Sequence, residues 1–161
     1  MAGVKQDSRM NMVLTVGSVL RGDDAAGPML AKMFEENPVE GWEVIDGGQM
    51  PEDDIAYIRR RSPRFLLLVD AADMGLAVGS VRKVEGGDVS TQFLLSTHSL
   101  PISFLLSELE QACDEVLMLG IQPGNTGFYE PLSSEVKEGL ERIYETVASG
   151  AVFDAYDYVN A

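Results

Sequence analysis

The sequence predicts an α/β protein, an open α/β/α sandwich built around a mostly parallel sheet. Three observations lead there. Strand-like and helix-like patterns alternate along the whole chain, the run FLLLVDAAD at 65–73 opens with five successive apolar residues, and Asp, Gly and Pro mark the joints between segments. Continuous apolar character suits a strand covered on both faces, which is the condition of a central strand in a parallel sheet. With 161 residues, 45% of them apolar, the chain is one domain that can bury ~70% of the surface its unfolded form exposes.

The elements follow in order. MVLTVGS at 12–18 is a short apolar run ending at a glycine, and PMLAKMFEEN at 28–37 places Leu30, Met33 and Phe34 at helical spacing behind Pro28, which suits a first helical turn. WEVIDGG at 42–48 reads as a second strand, and PEDDIAYIRRR at 51–61 as a short helix with Ile55 and Ile58 on one side. The buried strand at 65–73 comes next. SVRKVEG at 80–86 is shorter and more polar, as an edge strand would be. PISFLLSELEQAC aligns Ile102, Leu105, Leu106 and Leu109 along a helical stripe. EVLMLGIQP at 115–123 is another buried strand, and SSEVKEGLERIYETVASG repeats Val136, Leu140, Ile143 and Val147 on one face. The ends 1–11 and 151–161 are expected to be flexible, with the tail AVFDAYDYVNA either packing back or fraying.

Charge narrows the function classes. Twelve Lys and Arg against twenty-six Asp and Glu give a net charge of −14, which repels nucleic-acid phosphates and anionic lipid. Basic residues cluster only at 59-RRRSPR-64, at a joint between helix and strand, where a solvated helix end is the expectation. The single Cys113 forms no internal disulfide and ends an amphipathic helix, where it reads as core filler. No segment approaches the roughly 20 apolar residues of a membrane span. A cytoplasmic monomer is therefore expected.

In open α/β sheets, ligands sit beyond the carboxyl ends of the strands, so the polar residues after each apolar run carry the chemistry. After the first strand comes 22-GDDAAGP-28, whose glycines permit a tight turn and whose Asp24 stands where it could cap the helix. Without the lysine and hydroxyl of a GxxxxGK[ST] loop, and with two carboxylates instead, this is no phosphate cradle. Asp46 follows the second strand and precedes two glycines; Asp70 follows the third; His98, the sole histidine, opens a later crossover within STHSLP. Carboxylates and an imidazole on one rim suit Zn, Ni, Mn or non-haem Fe, with positions left open for substrate. No GxSxG elbow is present, which disfavours a serine hydrolase built on Ser96 or Ser99.

Five blocks, VGSVLRGDDAAGP at 16–28, VIDGG at 44–48, LLLVDAADMG at 66–75, THSLP at 97–101 and LGIQPGNTGFYEPLS at 119–133, resemble the hydrogenase maturation endopeptidases, in particular the type that processes the large subunit of the formate-hydrogenlyase hydrogenase. The resemblance implies a nickel-dependent endopeptidase that removes a C-terminal peptide from the precursor of a [NiFe] hydrogenase large subunit after nickel insertion. It implies Asp24, Asp70 and His98 as nickel ligands and Asp24 and Asp46 as the carboxylates of cleavage. The nickel, Ni2+, would arrive on the precursor. The implied fold is a twisted five-stranded sheet between helices with one antiparallel edge strand. Ser18 and Ser99 stand where the family usually has asparagine. Two other readings compete: a metallohydrolase acting on a small molecule, and a non-catalytic protein that senses the assembly state of a partner.

Overall fold

The computed structural model describes residues 9–85 and 101–159. Its five strands are β1 (Asn11–Thr15), β2 (Trp42–Asp46), β3 (Phe65–Ala71), β4 (Val81–Val84) and β5 (Glu115–Ile121). Its helices are α1 (Ala26–Glu36), α2 (Ile55–Arg61), α3 (Ile102–Ala112) and α4 (Ser134–Ala148). The strands form one sheet in the order β2-β1-β3-β5-β4, parallel throughout except for β4, which runs antiparallel to β5 at the edge. The three-layer α/β/α sandwich, the five-stranded sheet and the antiparallel edge all match expectation.

Side chains that alternate along each strand separate into two cores, as a period of two requires. Met12, Leu14, Leu66, Leu68 and Met118 meet Ile58 of α2 and the Leu105, Leu106 and Leu109 stripe of α3. On the other face, Val13, Leu67, Val69, Leu119 and Ile121 meet Leu30 and Phe34 of α1 and the Val136, Leu140, Ile143 and Val147 stripe of α4. Leu66, Leu67, Leu68 and Val69 are each fully buried, so this stretch of β3 is apolar without interruption because both of its faces are covered.

Local departures have local causes. Residues 51–61 do not form one α-helix. Pro51–Asp54 is a 3-10 turn that leads into α2, with Pro51, which lacks an N–H, at its start. α1 begins two residues before Pro28, a position the first turn tolerates because N–H groups there have no intrahelical acceptor. The arginine run is not simply solvated: Arg59 pairs with Glu108 of α3, and Arg61 Nε lies 3.4 Å from Glu43 of β2. The tail packs back. Phe153 stacks on Phe65 with ring centroids 5.9 Å apart, and Lys83 of β4 exchanges main-chain bonds with it, donating to Asp157 at 2.8 Å and accepting from Val159 at 3.0 Å.

This topology determines where a site can form. From β1 the chain moves outward to β2, then returns past β1 to β3 on its other side, so the strand order reverses between β1 and β3. The crevice at such a reversal, beyond the carboxyl ends, is where open α/β sheets bind ligands.

Candidate active site

Asp24 and Asp70 belong to the two sides of this reversal, Asp24 in the loop that leaves β1 and Asp70 on β3. Asp70 lies within β3, one residue before its end, opposite Gly120 of β5, and is 1% exposed. Asp24 lies in the 3-10 turn Gly22–Ala25 between β1 and α1 and is 2% exposed. Two carboxylates so deeply placed on one rim are costly unless they interact favourably there. Asp24 does not cap α1, whose N-cap is Ala25 without a side-chain bond. Its Oδ2 turns back to accept the Ser18 N–H at 3.0 Å, so the carboxylate is oriented by the loop leaving β1. Ser18 thus serves through its backbone, while its hydroxyl accepts the Leu20 N–H at 3.3 Å.

The loop closes tightly enough to exclude side chains. At Gly17, φ is +148°, and an added Cβ would lie 2.0 Å from the Asp24 carbonyl oxygen, so only glycine allows the backbone to pass there.

Asp46 ends β2 in register with Thr15 of β1 and is exposed. Its Oδ1 accepts the Gly48 N–H at 3.0 Å, an Asx turn, while Gly47 donates to the Thr15 carbonyl at 2.7 Å. Beyond it, burial raises the Asp54 pKa, with the carboxylates of Asp53 and Asp46 adding to the effect. The β2 side of the rim therefore carries concentrated negative charge.

The residue that sequence reasoning passed over is Asp23, fully buried beside Asp24. Its carboxylate accepts four hydrogen bonds from the loop after β5: Gly124 N at 2.7 Å, Asn125 N at 3.1 Å, Ser133 N at 2.6 Å and the Ser133 hydroxyl. Its own N–H donates to the Asn125 carbonyl at 2.7 Å. Asp23 thus joins the loops that leave β1 and β5, the two neighbours of β3. The doubled aspartate of GDD divides its labour, one carboxylate fastening the frame and the next lying at the crevice. The only hint in the sequence was the glycine- and asparagine-rich PGN segment, a source of outward N–H groups.

His98 lies outside the described residues, within the connection from β4 to α3. Among the described residues no group of three or more His, Cys, Asp and Glu side chains converges to hold a metal. Cys113 lies at the opposite end of the sheet, before the amino end of β5, 8% exposed within the core; burial, with a smaller contribution from Asp114, pushes its thiol up to about 11. Among the described residues no helix is long and apolar enough to cross a membrane.

Fold and site together define an α/β/α protein with buried carboxylates at the switch point of its sheet. Residues 28–150 match the family described as "HycI: Hydrogenase maturation protease". The chain is 42% identical over 135 residues to the hydrogenase 3 maturation protease of Escherichia coli K12, covering 84% of this chain and 86% of the relative. Its fold superposes on the solution structure of the endopeptidase HycI from Escherichia coli with a TM-score of 0.84 at 38% identity, over 93% of this chain and 96% of that one. A [NiFe] hydrogenase maturation protease HycI from Thermococcus kodakarensis KOD1 gives 0.75 at 28% identity, over 88% and 91%. The chain belongs to the hydrogenase maturation protease family and is a peptide-bond hydrolase.

Proposed function

We propose that this chain removes a C-terminal peptide from the precursor of a [NiFe] hydrogenase large subunit after nickel has been inserted, and that it recognises the nickel on the precursor through Asp24, Asp70 and His98. The observation that carries the reading is the burial of Asp24, in the loop leaving β1, and of Asp70, on β3, at the switch point of the sheet in a chain of this family.

The donor set suits a metal that belongs to the substrate. Two carboxylates and an imidazole compete poorly with cysteine thiolates for nickel, but they can complete the shell of an ion that thiolates already hold. The protease offers no thiolate of its own: Cys113 is protonated at neutral pH, its pKa raised to about 11, and it sits at the far end of the sheet. Nickel on the precursor supplies both a sign that insertion is complete and positive charge near the scissile bond. Hydrolysis adds water across the peptide C–N bond, with hydroxyl to the carbonyl carbon and a proton to the leaving amine. Asp46, solvent-exposed on the same rim, is suited to handle that proton or to hold the substrate.

The test compares metal-free precursor plus free nickel chloride with precursor loaded through its own insertion pathway, following loss of the C-terminal peptide by mass spectrometry. Cleavage of the loaded form alone is expected. Equally fast cleavage of metal-free precursor in the presence of a chelator would overturn nickel recognition by Asp24, Asp70 and His98.

A further inference from the structure

Large apolar side chains project from the loops that Asp23 fastens together. Among the described residues, four of the eight exposed large apolar side chains, Val19, Leu20, Phe128 and Tyr129, belong to the two loops leaving β1 and β5. They form one surface. The Tyr129 N–H donates to the Leu20 carbonyl at 2.9 Å, the Phe128 and Tyr129 rings lie 6.3 Å apart, and the Arg21 guanidinium sits 4.5 Å from the centre of the Phe128 ring. Val19 is 70% exposed and Tyr129 84%.

The surface is held open at a cost. Tyr129 has φ +62°, a left-handed conformation that glycine adopts freely and L residues other than asparagine and aspartate seldom do. Tyrosine there gains no burial in return. Aromatic residues and arginine grouped on an exposed surface are the side chains that dominate protein–protein binding energy.

We infer that Val19, Leu20, Phe128 and Tyr129 form a docking ledge for the folded large-subunit precursor, which would seat an apolar surface on it while its scissile segment enters the crevice. This rests on the function proposed above. The occupant follows from continuity: the loop that presents Val19 and Leu20 also carries Asp24, and Asp23, between them and Asp24 in the chain, binds the loop that presents Phe128 and Tyr129. The ledge therefore adjoins the loop that holds Asp24 at the switch point. A small substrate would need a concave enclosure; projecting rings on adjoining loops suit a macromolecular surface instead.

The experiment measures kcat and KM on nickel-loaded precursor, together with equilibrium binding to it, for the natural chain and for Leu20→Ser, Tyr129→Ser and Tyr129→Gly, with thermal melts of each. The expected result is a KM raised about tenfold, a matching loss of binding, and kcat within about twofold, since truncated anchors remove binding shared by ground and transition states. Glycine adopts φ +62° without strain, so Tyr129→Gly should melt no lower than the natural chain while losing the same affinity. Unchanged KM and binding in all three variants would overturn the ledge and leave the peptidase reading standing. Failure of the natural chain to cleave loaded precursor would overturn that reading and the ledge with it. A dimer of the natural chain in sedimentation that Leu20→Ser dissociates would assign the ledge to a second copy and overturn the proposal.

Discussion

The carboxylate of Asp23 takes both the backbone N–H and the hydroxyl of Ser133, a residue 110 positions away and the N-cap of α4. This pair, extended by the bonds to Gly124 and Asn125, fixes the β5 loop against the loop that carries Asp24.

Asp23→Ala should therefore destabilise the fold strongly. It removes a fully buried charged acceptor and leaves four part-buried donor bonds unmade, at a cost of roughly 3 kcal/mol, or about 10 °C in melting temperature for a chain of this size. Urea denaturation would measure it. A loss under ~0.5 kcal/mol, the range of ordinary surface changes, would show that the clamp contributes little.

Asp46→Asn separates turn from chemistry. Asparagine retains the oxygen that accepts the Gly48 N–H and suits the same turn, so the melting temperature should not change. Precursor processing should fall by at least about a hundredfold if the carboxylate moves a proton, the usual scale of general acid–base catalysis. Full activity in the variant would reduce Asp46 to a turn residue.

Asp54 should make stability depend on pH in a defined direction. Burial and the neighbouring Asp53 and Asp46 raise its pKa in the folded chain above the ordinary 3.8, so the native state binds its proton more readily than the unfolded chain does. Stability from this group is fully present below pH 3.8 and is lost as pH rises through the elevated value. Asp54→Asn should accordingly melt slightly higher than the natural chain at pH 7, within the ~0.5 kcal/mol of surface substitutions, and lose that advantage at strongly acidic pH. An advantage that grows on acidification would contradict the assigned cause.

Cys113 should be nearly inert in the folded chain. With its pKa near 11, the thiolate population at pH 8 is about two orders of magnitude below that of an ordinary cysteine at 8.5. Alkylation by iodoacetamide, followed by mass, should be slow until denaturant is added. Rapid native labelling would place the thiol in solvent and remove one support for nickel held by the precursor.

What the sequence made legible follows from the range over which each signal acts. β3 was recognisable because six successive residues share one solvent condition, and the stripes of α3 and α4 because helical periodicity repeats locally. The split of 51–61 into a 3-10 turn and α2 was missed because a proline's effect on the first turn is settled by packing. Asp23 was missed for a different reason. Nothing within its own loop distinguishes it from Asp24; the distinction comes from donors a hundred residues downstream that reach it only when β1 and β5 flank the same strand. Asp24, Asp46 and Asp70 lie beyond or near the carboxyl ends of β1, β2 and β3, a position readable from sequence because the carboxyl ends of parallel strands share one side, whereas His98, expected on the same rim, lies outside the described residues.

The bonds between Lys83 and the tail have a consequence for how the molecule survives in a crowded solution. Among the described residues β4 is the outermost strand on its side of the sheet, and a bare outer strand is a template onto which another chain can add. Residues 157–159 occupy part of that template with the chain's own backbone, in a parallel bridge at Tyr158 whose ring also lies 4.5 Å from the Lys83 ammonium. The last residues thus act as a selvedge, keeping the woven edge of the sheet from joining another.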